Sequence, residues 1–310
     1  MDERIKIEFM NLKIELLQKK FRENIIFKEN LSKYSWFNLG GPADIFFRPK
    51  NINQLKYFLS EIRLDNYEIE ILGAGSNTLI RDSGFKGVVI KLSSNFCNIK
   101  LIDKDTIEVG AAILDRKVAN FAKDNGIGGM EFLSCIPGSI GGAIIMNSGC
   151  YGSDISKILT SIEAIDEKGN MKKLNNKEIE FNYRESKIPK KLIILSAKLK
   201  GSIISKELIE IKQNELIKKK KESQPSQIKT GGSTFKNNNN KKAWMLIKES
   251  GCENFKVGSA KISEKHCNFF VNNGNAKASD IEELIHKVKK TVLEKTGINL
   301  ELEIKIIGNE

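Results

Sequence analysis

Two glycine-rich turns and three isolated polar side chains are the parts of this chain that could do chemistry. The first turn, ILGAGSNTLI, sets Gly73, Ala74, Gly75, Ser76 and Asn77 directly after an apolar run, with Thr78 and Leu79 following. Bare backbone N–H groups in such a turn can hold a pyrophosphate. The second, IPGSIGG, spans Ile136, Pro137, Gly138, Ser139 and Gly142, and Ala143, Asn147 and Gly149 continue it toward a polar stretch. Either turn alone reads equally as a tight bend; two in one domain favour a dinucleotide. Arg184 in FNYRES could take a carboxylate through two parallel hydrogen bonds, or be an ordinary surface arginine. Ser233 follows two glycines in GGSTFKN, which leaves its hydroxyl accessible. In LELEIKII, alternation puts Glu301 and Glu303 on one face and Leu300 and Leu302 on the other, the usual pattern of a solvent-facing strand.

Several chemistries are disfavoured. A Rossmann fingerprint needs a third glycine where Thr78 stands, and RDSGFKG after it is a turn rather than a helix. There is no GxSxG elbow, and the two histidines are His266 and His286, the latter inside an amphipathic pattern, so a Ser-His-Asp hydrolase is poorly supported. The five cysteines are widely spaced and form no CxxC pair, against a disulfide framework or a zinc knuckle, and no metal site is expected.

The net charge of +12 suits phosphate-bearing partners. With 7% aromatic residues and no nucleic-acid-binding signature, most lysines read as solvated surface. No apolar run is long enough to span a membrane, and the acidic, interrupted start MDERIKIEFM does not resemble a secretory signal. A cytoplasmic protein is the expectation.

These residues must be positioned by ordinary elements. Residues 1–30 read as a helical segment. A helix is predicted over 51–64 from Ile52, Leu55, Leu59 and Ile62, and a strand over 67–72. Strands follow near 87–91 and 98–109, then a helix carrying Leu114, Val118 and Phe121 that Gly126 stops. The stretch from Gly126 to Gly152 is both apolar and glycine-rich, so its backbone must lie close to something. A hairpin turning at 167–170 and the strand LIILSAKL come next. A helix over 204–221 is predicted to bury Ile204, Leu208 and Ile211. In the last third, Ser279 and Glu282 have the spacing of a capping box for an apolar-faced helix, and LELEIKII is a strand over 300–307. The expected domains are 1–30, 31–203 and 204–310.

Taken in order, YSWFNLGGPAD, LGAGSNTLIRDSGFKGVVIKL, IPGSIGGAIIMNSGCYG, FNYRES, QPSQIKTGGSTFKN, KHCNFFVNNGNAKASDIEELI and LELEIKIIG resemble the UDP-N-acetylenolpyruvoylglucosamine reductases, in their shorter form, from about Phe21 to Gly308. The resemblance implies an α+β fold: a two-lobed FAD-binding domain of p-cresol-methylhydroxylase type and a smaller α+β substrate domain. It implies FAD as cofactor, NADPH as co-substrate, and reduction of UDP-N-acetylglucosamine enolpyruvate to UDP-N-acetylmuramate in peptidoglycan precursor synthesis. By the same resemblance Ser233 is the proton donor, Arg184 and Glu303 stabilise charge developing beside the substrate carboxylate, and Tyr183, Asn237 and His266 contact substrate. A monomer is expected. Glu303 would serve best with a pKa raised by burial. The chain departs from the family pattern at Cys135, usually Gly, at Asn238 and Leu302, both usually Pro, and in having lysines where an arginine usually precedes Gln224-Pro225. Another flavin oxidase of the same fold, or a basic nucleic-acid-binding protein, remain the alternatives, which a flavin spectrum separates.

Overall fold

The computed structural model describes residues 15–62, 67–189, 191–238 and 241–310. Two sheets and a C-terminal unit organise the chain. In the first sheet the strands Ile25–Asn30, Pro42–Phe47, Phe85–Ile90 and Ile69–Ile71 lie in that order; the first pair is antiparallel and the others parallel. The predicted helix forms over Ile52–Ile62 and lays Leu55, Phe58, Leu59 and Ile62 on this sheet. Phe47 and Phe58 stack there with centroids 3.9 Å apart.

The N-terminal expectation needs correction. Residues 15–21 are helical, but Ile25–Asn30 is a strand registered against Pro42–Phe47. Ile25 and Phe27 turn inward and Ile26 and Lys28 outward. The edge of a parallel sheet offered these residues a ladder, and tertiary pairing overrode local helical preference. The rest of the expected helix, residues 1–14, lies outside the described residues.

The second sheet is antiparallel, in the order Met171–Asn175, Leu159–Ile165, Ile193–Lys200, Thr106–Gly110, Ile99–Asp103. Helices Asp115–Asp124 and Ile140–Ile145 cover it. The helix Lys206–Ser223 packs here too, but not by the face expected: Leu208 and Ile211 are exposed, while Ile209, Gln213 and Leu216 are buried. Gln213 is accommodated because its Nε2 donates to the Ala119 carbonyl at 3.0 Å. A polar side chain with a partner thus occupies the seam, which disguises the face in an apolar count.

The C-terminal unit holds the helix Ala243–Glu249, a small sheet of Lys256–Val257, Ala260–Ile262 and Phe270–Asn272, and the helix Ala278–Thr296. Its core includes Phe37 and Leu79 from the first lobe. The Ser279–Glu282 box does not form. Ser279 is already inside the helix; Asp280 accepts the Lys277 N–H at 2.9 Å, and Asp82 accepts the Ala278 and Ser279 N–H groups at 2.9 and 3.0 Å. Glu282 instead meets Arg81 through two hydrogen bonds of 3.0 Å. LELEIKII is not one regular strand either. Leu302 bridges Phe235, and regular pairing begins only at Lys305–Ile307, parallel to Thr78–Ile80. Glu301 and Glu303 therefore part: Glu301 stays in solvent and Glu303 turns inward.

Candidate active site

The first glycine turn leaves the strand Ile69–Ile71 and is laid against the 34–36 segment. Gly75 has φ +72°, and its carbonyl accepts the Trp36 N–H at 3.0 Å. A Cβ on Gly75 would stand 1.8 Å from the Tyr34 carbonyl oxygen. A Cβ on Gly73 would stand 2.8 Å from Ser139 Oγ, so the two turns face each other. Gly138 is backed by Asp115, whose Oδ2 lies 2.6 Å from where a Cβ would be. Both Asp115 oxygens are buried without a hydrogen bond, and desolvation pushes its carboxyl well above the usual range. Side chains at Gly73, Gly75 or Gly138 would collide with neighbouring protein atoms, so glycine lets the two turns close on each other as a cradle lined by backbone, which fits a ligand gripped by main-chain groups.

Ala74, Ser76, Asn77, Ile136, Pro137 and Gly142 keep partly or fully open surfaces along this cradle. The remaining sequence candidates shape it from behind. Leu79 is fully buried in the C-terminal core, and the Thr78 carbonyl accepts the Ser35 hydroxyl. Ala143 is buried in the second lobe, and Gly149 pairs with Asp154. Asn147 is buried, donating to the Asn182 carbonyl and accepting the Ser156 N–H, both at 3.0 Å. These side chains reach core or scaffold.

Arg184 and Glu303 come together. Arg184 occupies a two-residue turn between Phe181–Asn182 and Glu185–Ser186, with φ +59°. Left-handed backbone at a non-glycine residue costs about 1–2 kcal/mol, and it aims the guanidinium at Glu303: Nε donates to Oε1 at 2.8 Å. The Tyr183 ring lies 4.9 Å from the guanidinium carbon. Burial raises the Glu303 pKa, Arg184 and Lys236 oppose that rise, and burial prevails.

Backbone bonds join this pair to the serine segment and to the first turn. The Glu303 N–H donates to the Thr234 carbonyl at 2.9 Å, next to Ser233, which itself bridges Phe269. Gly232, at φ +81°, has open space where a side chain would be. Asn77 Nδ2 donates to the Glu303 carbonyl at 3.0 Å, and its own carbonyl accepts the Lys305 N–H at 2.9 Å. The cradle and the ion pair are thus one assembly. Asn237 bonds the Tyr183 hydroxyl at 3.2 Å and the Ala243 N–H at 3.0 Å. His266 packs on Phe269 with its Nδ1 accepting the Asn268 N–H; burial lowers its pKa, and no hydrogen bond or ion pair ties it to Arg184 or Glu303.

Sequence reasoning missed Lys91, which donates to the Gly73 carbonyl beneath the first turn. A lysine directly ending the buried run GVVI was the available signal. It also missed Asp115 and Thr234, whose importance lies in packing and backbone geometry that no spacing reveals. Among the described residues no cluster could hold a metal ion, and no helix is long and apolar enough to cross a membrane.

Residues 224–307 match the C-terminal domain model of the UDP-N-acetylenolpyruvoylglucosamine reductases, and residues 43–175 match an FAD binding domain. Over 95% of the chain the sequence is 48% identical to the UDP-N-acetylenolpyruvoylglucosamine reductase of Pelagibacter ubique, covering 98% of that protein. This chain belongs to the UDP-N-acetylenolpyruvoylglucosamine reductase family. The reductase of Rickettsia conorii is 46% identical over 90% of the chain and 94% of its own length. The crystal structure of the reductase from Thermus caldophilus superposes with a TM-score of 0.79 at 32% identity, covering 92% of this chain and 98% of that one. As a member of this reductase family, the chain is an FAD-dependent oxidoreductase of α+β fold.

Proposed function

We propose that Arg184, Glu303 and Ser233 carry the reduction of UDP-N-acetylglucosamine enolpyruvate to UDP-N-acetylmuramate, with NADPH as reductant. The carrying observation is the 2.8 Å Arg184–Glu303 contact, hung from the cradle by Asn77. Bound FAD supplies the hydride, held by the backbone of 73–77 and 136–142. As hydride adds to the methylene carbon of the enol ether, negative charge grows on the neighbouring carbon and its carboxylate. Arg184 is a fixed cation for that charge; such preorganised groups are worth about 100- to 1,000-fold in rate. Burial raises the Glu303 pKa, which eases protonation as the substrate carboxylate approaches and so loosens the carboxyl's hold on the guanidinium. Ser233 hands its proton to the basic carbon, the open space at Gly232 giving access. Tyr183 and Asn237, already bonded together, line the substrate side, and His266 contributes as a neutral group.

We further propose a flavin domain over 31–203, a substrate domain over 204–310 whose first helix, Lys206–Ser223, lies on the second lobe, a monomeric state and a cytoplasmic location. Stopped-flow spectroscopy tests the central reading. NADPH should bleach the bound flavin, and UDP-N-acetylglucosamine enolpyruvate should restore its colour with formation of the lactyl ether. Flavin reduction by a hydroxy acid, with reoxidation by oxygen but not by the enol ether, would overturn it.

A further inference from the structure

Three parallel strands of the first sheet end level with one another, since both Phe47 and Ile71 register with Ile90. The residues just beyond are Arg48, Lys91 and the Leu72-Gly73 entry to the first turn. In open sheets with parallel strands, ligands sit at this carboxyl edge. The Lys91 N–H is fixed by the Phe47 carbonyl at 2.9 Å, and its ammonium caps the Gly73 carbonyl. That carbonyl would otherwise present negative charge to an anion lying in the turn.

The groups facing Lys91 supply no counter-charge. Arg48, from the neighbouring strand end, is a like charge. The Tyr34 ring centroid is 6.0 Å away; its hydroxyl is committed to Glu29 at 2.7 Å, Glu29 also pairs with Lys33 at 2.8 Å, and burial with Glu29 pushes the phenol up to about 12. Burial raises the Cys97 thiol, so it stays neutral. Among the described residues no carboxylate pairs with Lys91, and burial with Arg48 lowers its pKa to about 8. A desolvated ammonium beside a second cation is costly until an anion joins it.

We infer that Lys91, assisted by Arg48, is the positive partner of the FAD diphosphate, drawing it onto the Gly73–Asn77 backbone. This rests on the cofactor reading, and gives the cradle a specific electrostatic anchor.

Titration of flavin-depleted protein with FAD, followed by flavin fluorescence and calorimetry, tests it. Lys91→Met should weaken FAD binding by about 10- to 100-fold at low salt and flatten its salt dependence, while Lys91→Arg retains most affinity. An anion raises the Lys91 pKa on binding. Wild-type affinity should therefore fall as pH rises through about 8, with proton uptake when FAD binds there; Lys91→Met should lose both. If Lys91→Met binds FAD with wild-type affinity, or more weakly but with unchanged salt and pH slopes, the inference is overturned. Should that variant fail to fold, wild-type calorimetry in two buffers still decides, since no proton uptake near pH 8 would overturn it. Wild-type protein that takes up no FAD would strike the cofactor reading itself.

Discussion

Arg184 Nε and Glu303 Oε1, 119 positions apart in the chain, meet at 2.8 Å across the junction of the second lobe and the C-terminal unit. Neither side chain is anchored by its own element alone. The arginine depends on a strained turn, and the glutamate on backbone bonds to Thr234 and Asn77. Arg184→Lys keeps a cation but loses the planar fork. It should lower the rate of flavin reoxidation by the enol ether about 100-fold or more, with little change in flavin reduction by NADPH. Equal loss in both half-reactions would show that Arg184 has no special role toward the enolpyruvyl group.

Ser233→Ala should separate the half-reactions more sharply. Bleaching of the flavin by NADPH needs no proton from this hydroxyl and should proceed at the wild-type rate. Recolouring by the enol ether should slow by about 100-fold or more. Wild-type recolouring would remove Ser233 as proton donor.

Glu303 makes a pH prediction with a definite sign. Its folded-state pKa is raised above the ordinary 4.5. An acid shifted this way favours the fold most below its unfolded pKa, and that contribution is lost as pH climbs through the folded value. The stability of wild type relative to Glu303→Gln should thus be greatest in acid and shrink as pH rises from about 4.5. Urea melts across that range give the answer; a difference that grows with pH would mean Arg184, not burial, controls the carboxyl.

Glycine substitutions distinguish cradle from scaffold. At Gly75 a Cβ would meet the Tyr34 carbonyl oxygen at 1.8 Å, at φ +72°, so Gly75→Val should damage the fold itself. Gly73→Ala is the cleaner variant, because it meets only the Ser139 hydroxyl, which can rotate. It should fold normally and bind FAD weakly. Normal flavin content in Gly73→Ala would count against the cradle.

Asp82 caps a helix from another part of the chain. Asp82→Ala should cost about 1 kcal/mol and speed amide exchange at Ala278 and Ser279, with flavin content unchanged. Unchanged exchange there would show that the helix start is held by Asp280 alone.

Much of this could be read beforehand where a single period governs. Leu55, Leu59 and Ile62 announced their helix because one face is uniformly apolar, and the two glycine turns announced themselves by composition. Residues 25–30 did not, since their inward alternation matters only once Pro42–Phe47 lies beside them. The helix 206–223 misled because Gln213 sits in its buried seam with a backbone partner while Leu208 and Ile211 face solvent. Arg184, Ser233 and Glu303 were legible as residue types. Their convergence was not, because it depends on the Thr234 carbonyl and the Asn77 side-chain amide holding the Glu303 backbone, contacts that no residue spacing reveals. Lys91 and Asp115 stayed hidden for a related reason: a charged residue inside a fold is meaningful only by what surrounds it.

The pairing of Lys305–Ile307 with Thr78–Ile80, and of Lys305 with Asn77, has a bearing on biosynthesis. The proposed flavin cradle is coded early but receives its last clasp from residues translated more than two hundred positions later. A nascent chain arrested before that point could assemble the parallel sheet, yet its cradle would lack the clasp. Flavin retention would then report that the Lys305–Ile307 segment has left the ribosome and docked on Thr78–Ile80.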